Sequence, residues 1–169
     1  NAALLHQLLD WVAQGRLQPA ITQRLPLEQA ALALQQVAGR QALGKTVLLT
    51  VGRLTRRKGH DTVLSALARL RPLGLLQDLV WLVLSDGELE DELKKSCSAL
   101  GLDDVVRWVG PVSRDALPRY YAAADVFVHP NRTLDDDDVE GFGMVFLEAS
   151  AAGLAVIGGR SGGVVDAVE

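Results

Sequence analysis

The pattern of apolar and polar positions changes at about residue 46. Ahead of it, Leu4, Leu5, Leu8, Leu9 and Val12 recur at helical spacing and predict a helix over 2–14, ended by Gly15. A short extended stretch over 19–23 follows. Pro26 then opens a second helix reaching about Val37, at the position where a missing N–H costs least. Beyond 46, short apolar, β-branched runs at 47–51, 79–84, 105–109, 126–129 and 155–157 alternate with helical stretches at 61–70, 89–100, 113–123 and 143–152. Strands apolar at every position are covered on both faces, and a helix between successive strands is the crossover that parallel pairing requires. The expected fold is therefore α/β: a doubly wound, mainly parallel Rossmann-like sheet flanked by helices, preceded by a helix–strand–helix segment. In such sheets ligands bind beyond the carboxyl ends of the strands, at the point where the strand order reverses. The residues that follow each strand are the ones to read for chemistry.

Composition narrows the function classes. The 169 residues carry 17 Lys and Arg against 21 Asp and Glu, a net charge of −4, with 49% hydrophobic positions. That length and apolar content suit one compact domain. The acidic balance argues against a nucleic-acid partner, so any bound anion must be held by a few placed cations. A single cysteine, Cys97, excludes an internal disulfide and a multi-cysteine zinc site. His6, His60 and His129 are dispersed along the chain, so no metal site is expected and the histidines are read as satisfied or exposed. No cofactor is expected. No apolar run approaches the roughly 20 residues of a membrane span and no signal peptide opens the chain, so the expected setting is cytoplasmic.

Gly39 to Thr46 matches the pattern G-x-x-x-x-G-K-[ST], but the mechanism of that loop needs a strand before it and a helix after it. Here a helix precedes and a strand follows, so a phosphate loop is rejected. No G-x-G-x-x-G follows a strand either, which leaves a nicotinamide dinucleotide site without support. Asp135 to Asp138 form a charge run read as a solvated loop, because calcium loops space their ligands on alternate residues. Trp81 and Trp108 lie within strands and read as core, Met144 and Phe142 as side chains that pack a loop down, and Cys97 as a thiol with no nucleophilic partner.

Two strand ends carry stronger signals. After the strand at 47–51, Gly52 and Gly59 bracket Arg53, Arg56, Arg57 and Lys58 just ahead of a helix. Cations at a helix amino terminus oppose the helix dipole unless an anion sits among them; a diphosphate site is the sharper reading and a solvated basic loop the alternative. After the strand at 126–129, glycines 141 and 143 lie between Glu140 and Glu148, which stand two helical turns apart and can address one cleft. Carboxylates accept hydrogen bonds and suit paired hydroxyls of a ribose or a sugar ring.

With these residues in place, the chain from 46 to 169 resembles the carboxyl-terminal, donor-binding domain of a retaining GT-B glycosyltransferase of family 4. The residues that carry the resemblance are Val51-Gly-Arg-Leu54 with Lys58-Gly59, Asp86-Gly87, Trp108-Val-Gly110, Ala122 to Val128, the E-x7-E signature from Glu140 to Glu148, Ala152-Gly153 and Gly162-Gly163. The resemblance implies that Arg53 and Lys58 hold a donor diphosphate. It implies that Glu140, with Gly141, Phe142 and Gly143, meets the donor sugar, and that Glu148 takes the ribose. It further implies that the backbone of Gly52, Met144 and Val145 contacts the donor and that Val109 and Gly110 edge the base. The ligand class is a UDP- or GDP-sugar, and the version of the motifs here is nearest to bacterial lipid-directed mannosyl- or glucosyltransferases. Two positions depart from the family: Ser85 stands where glycine is usual and Ala155 where proline is usual.

Residues 1–45 resemble instead the closing segment of medium-chain quinone oxidoreductases, through the stretch from Leu8 to Leu17, Ile21, Leu25 to Ala30 and Gly44-Lys45. No reductase activity is implied, because the cofactor loop of that family is absent. The expectation is a composite chain of two parts, 1–45 and 46–169, joined near 45–49, in which a truncated donor domain binds nucleotide sugar and is catalytically silent alone. The amino-terminal segment would cover the sheet in cis or form a homodimer by swapping. A folded chimera without function, and the donor-binding part of a two-chain hexosyltransferase, are the alternatives.

Overall fold

A computed structural model describes residues 46–134 and 143–161. The segment 1–45, residues 135–142 and residues 162–169 lie outside the described residues, and with them the two amino-terminal helices, the acidic run, Glu140, Gly141 and Phe142.

Among the described residues five strands form one sheet: β1 Thr46–Val51, β2 Leu79–Leu84, β3 Val106–Gly110, β4 Val126–His129 and β5 Ala155–Gly158. All pairings are parallel and the order across the sheet is β3-β2-β1-β4-β5. Four helices make the crossovers: α1 His60–Leu70, α2 Glu90–Ala99, α3 Leu117–Ala122 and α4 Met144–Ala151. The order reverses between β1 and β4, which places the switch point between their carboxyl ends.

The alternation of each strand divides the core in two. Leu48, Trp81, Val83, Val126 and Val128 pack with Val63, Leu67, Leu93 and Cys97 beneath α1 and α2. Their neighbours Leu49, Leu84 and Phe127 face the other way, onto Tyr121, Phe146, Leu147 and Ala149 of α3 and α4. Both faces are covered, which is why the strands read as unbroken apolar runs. Thr50 is a polar residue in the middle of β1, fully buried and satisfied twice: the Trp81 indole N–H donates to its Oγ1 at 2.9 Å, and Oγ1 donates to the Val128 carbonyl at 2.5 Å. A side-chain chain thus ties three adjacent strands across the core, at the site where an unpaired hydroxyl would cost about 1–3 kcal/mol. At the other end of β1, the Val47 N–H donates to the Asp125 carboxylate at 2.7 Å while the Asp125 N–H donates to the Val47 carbonyl at 2.9 Å.

The expected strands and helices of this region are all present, with one helix shorter than expected. The stretch 113–123 is helical only over Leu117–Ala122, because Ser113 spends its carbonyl and hydroxyl on the N–H of Ala116 in a separate turn and Pro118 starts the helix proper. Trp81 is fully buried, as expected of a core residue, and Trp108 is half-buried against it, ring centroids 6.2 Å apart. Cys97 is fully buried and burial pushes its thiol up to about 11, in keeping with a packing role.

Candidate functional site

The loop after β1 is built by backbone. Gly52 donates to the Leu84 carbonyl, Leu54 donates to Asp86, and the Leu54 carbonyl accepts from Leu89, so the loop is laced to the end of β2. Leu54 is buried and anchors it. The chain then makes a short turn over Arg56–Lys58 and enters α1 through Gly59, which caps the helix at φ 75°. A Cβ at Gly59 would stand 2.1 Å from the Pro130 carbonyl oxygen, so the close approach of the β1 and β4 loops demands glycine. The Arg132 N–H donates to the Arg57 carbonyl at 2.9 Å, and the Arg132 guanidinium bonds Asp61 at 2.8 Å, fastening the same two loops. Two consequences follow for the cations. Arg53 is exposed at the mouth of the switch point, and Lys58 is half-buried with its side chain running beside Gly52.

Beneath this loop lie His60 and His129, the first residue of α1 and the last of β4. Both are fully buried, their rings are 6.0 Å apart, and none of their four ring nitrogens has a hydrogen-bond partner. The sequence expectation of dispersed, satisfied or exposed histidines is corrected: the parallel pairing of β1 with β4 brings residues 69 positions apart into one packed cluster with Trp81 and Phe127. Burial lowers His60 to about 4, with Asp61 opposing and Lys58 adding to the shift. His129 is held well below its ordinary value by burial first, then by Lys58 and His60. Both rings are neutral at pH 7 and add no charge to the cationic loop above them. Among the described residues, no group of three or more histidine, cysteine or carboxylate side chains is placed to hold a metal ion.

The second half of the site is α4. Because β4 and β5 are parallel, α4 runs back across the sheet and its amino terminus meets the carboxyl ends of the strands. Gly143, at φ 69°, turns the chain into the helix, and Met144 and Val145 are its first two residues, whose N–H groups have no acceptor within the helix. Met144 is 44% exposed and does not pack the loop down as the sequence suggested. Glu148 sits one turn into the helix, half-buried, and its Oε2 accepts a hydrogen bond of 2.8 Å from the Tyr121 hydroxyl on α3. That contact was not foreseen. The only sequence signal was a tyrosine within an amphipathic stretch, whose hydroxyl needs a partner once the ring is buried.

At the far end of the expected site, Val109 and Gly110 close β3, where the pairing with β2 shifts register after Val83. Facing them is Ser85, the one described non-glycine residue at positive φ, 139°, whose N–H donates to the Gly110 carbonyl at 3.0 Å. The position where the resembling family carries glycine does require a glycine-like backbone, and the serine is held in it by the neighbouring strand. The structure therefore brings the Arg53–Lys58 loop and the α4 amino terminus to the two strands that flank the switch point. Val109 and Gly110 lie two strands further out.

Comparison with known proteins bears on the family and the fold. Residues 35–169 match the family described as glycosyl transferases group 1, and residues 1–48 match one described as zinc-binding dehydrogenase. The GDP-mannose-dependent alpha-(1-6)-phosphatidylinositol monomannoside mannosyltransferase of Mycobacterium tuberculosis is 39% identical over 150 residues, 88% of this chain and 38% of that protein. That alignment is longer than the stretch from residue 46 onward and so takes in residues ahead of β1. The amylovoran biosynthesis glycosyltransferase AmsK of Erwinia amylovora is 32% identical over 122 residues, 72% of this chain and 30% of that protein. The chain thus spans less than two fifths of these curated relatives. In fold it is similar to the C-terminal domain of the group 1 glycosyl transferase LpcC from Francisella tularensis, with a TM-score of 0.56 at 23% identity over 84% of this chain and 67% of that one.

Proposed function

The chain belongs to the group 1 glycosyl transferases, and from that premise we propose that it binds the nucleotide-diphosphate-sugar donor of such an enzyme. The observation that carries the reading is the pairing of the cationic loop after β1 with the open helix terminus and carboxylate after β4, on the two strands at the switch point. Arg53 and Lys58 neutralise the diphosphate and stabilise it as a leaving group; the Met144 and Val145 N–H groups and the positive end of α4 supply further donors. Glu148 accepts the ribose hydroxyls. Glu140 with Gly141, Phe142 and Gly143 addresses the donor sugar, and Gly52, Val109 and Gly110 offer backbone at the diphosphate and the base. The mycobacterial relative's name gives GDP-mannose as its donor, which favours a guanine nucleotide here.

Transfer is a separate matter. An acceptor must be held against the donor, and positioning of that kind accounts for about 7–11 kcal/mol of a barrier. The chain covers less than two fifths of its curated relatives, so this reading assigns it donor binding without transfer on its own. It also takes the chain as composite, a dehydrogenase-like segment ahead of a donor domain, supported by two family matches that meet over 35–48. A chain reduced to residues 35–169 should keep cooperative unfolding and nucleotide affinity if the two parts are independent, and lose both if the segment completes the sheet.

The test is calorimetric titration with GDP and UDP. Binding is expected, and Arg53→Ala with Lys58→Ala should weaken it at least thirtyfold, since each charge-assisted phosphate contact is worth about 1.5–3 kcal/mol. A folded chain that binds neither nucleotide at millimolar concentration overturns the reading and leaves a chimera whose fold has outlived its site.

A further inference from the structure

We propose that Tyr121 is a positioning residue for ribose recognition, acting through Glu148. The inference rests on the reading of Glu148 as the ribose acceptor given above. Tyr121 lies on α3 with only 4% of its surface exposed, its ring tilted against Phe127 at 6.0 Å between centroids. Glu148 comes from α4, across the same face of the sheet. The hydroxyl donates to Oε2 at 2.8 Å. Burial first, and the adjacent Glu148 charge second, push the phenol above its ordinary range, so it stays protonated and keeps the proton it donates to Oε2.

A glutamate on a helix has three rotatable side-chain bonds, and ordering it costs free energy whenever a ligand does the ordering. Here the protein has done it beforehand. A carboxylate offers about four lone-pair sites on two oxygens. One donor on Oε2 fixes the plane of the group and leaves Oε1 and the second lone pair of Oε2 for two vicinal hydroxyls. The sheet supplies the rigidity behind it: the ring of Tyr121 rests on Phe127, and Phe127 packs edge-on against Phe146 of α4 at 5.5 Å. Donor and acceptor helices are therefore referenced to the same buried phenylalanine. Preorganisation of this kind raises affinity for the ribose without adding a contact to it.

The experiment compares GDP with 2′,3′-dideoxy-GDP on the full chain, using the ratio of their affinities as readout. The wild-type chain should prefer GDP at least tenfold, and Glu148→Ala should bring the ratio close to one. Tyr121→Phe, which removes one oxygen and keeps the ring, should lower the ratio about five- to tenfold, mainly by weakening GDP. Adding Tyr121→Phe to Glu148→Ala should change the ratio no further. A Tyr121→Phe chain that melts lower but keeps the wild-type ratio overturns the proposal and leaves the hydrogen bond as a fastener between α3 and α4. A Glu148→Ala chain that keeps the ratio overturns the ribose reading itself, and the proposal with it. Should Tyr121→Phe not fold, the wild-type chain decides: the Tyr121 hydroxyl proton resonance should shift more with GDP than with the dideoxy nucleotide, and equal shifts overturn the proposal.

Discussion

Beyond β1 the chain is locked by backbone, with Gly52 and Leu54 laced to the end of β2, Arg57 bonded to Arg132 beyond β4, and no room for a side chain between Gly59 and the Pro130 carbonyl. Beyond β4 the same switch point is finished by a short helix whose first residue is 44% exposed and which is tethered to α3 by the part-buried hydrogen bond of Tyr121 to Glu148. The two halves of one candidate site thus meet different demands. A diphosphate is a compact charge, and a rigid loop whose backbone is set before the ligand arrives gives the largest electrostatic return. A ribose offers neutral hydroxyls whose recognition is directional, so a single oriented carboxylate suffices. On the proposed reading, rigidity falls where charge would be bound, and a side-chain hydrogen bond where direction would be needed.

The contrast can be broken first at the backbone. Gly59→Ala should destabilise the chain by about 3–5 kcal/mol in urea unfolding, because the new methyl meets backbone that cannot retreat. Gly74→Ala is its control, since Gly74 has a similar φ of 70° but nothing within 4 Å of the added carbon. That change should cost only about 1–2 kcal/mol, the left-handed penalty alone. Equal costs for the two would mean that the β1 loop yields as freely as the surface turn.

The buried histidines give the next effect. His60 ionises at about 4 in the folded chain against about 6.5 unfolded, so between those values the unfolded state binds more protons and stability falls as pH falls. The loss from this residue approaches the order of 3 kcal/mol by pH 4, and His129 shifts in the same direction. His60→Phe should flatten the melting temperature between pH 6.5 and 4 relative to wild type while leaving its slope above pH 7 unchanged. An unchanged acid limb would show that the rings are hydrated.

The two smallest stability effects come from one side chain on each half. Tyr121→Phe should cost about 1 kcal/mol in unfolding, the usual worth of one hydrogen bond, with its larger consequence confined to the nucleotide ratio. Arg53→Ala, at an exposed position, should leave unfolding within about 0.5 kcal/mol of wild type.

Much of this was readable in the order of residues. Unbroken apolar runs separated by helices gave the parallel sheet, and the strand ends then drew attention to Arg53, Lys58 and Glu148 as candidates, because in such a fold ligands bind beyond the carboxyl ends of the strands. Even the departure at Ser85 pointed to a backbone that proves to sit at φ 139°. Glu140, Gly141 and Phe142 lie outside the described residues and stay expectations. The limits were contacts across elements. Tyr121 and Glu148 are 27 positions apart on different helices, and His60 and His129 are joined only because β1 pairs with β4. Sequence periodicity reports which face of an element is apolar, a local property of 2 or 3.6 residues. Strand order and register decide which of those faces meet. They follow from packing the whole chain, so the neutral histidine pair beneath the cations and the tether that orients Glu148 were settled by the tertiary structure alone.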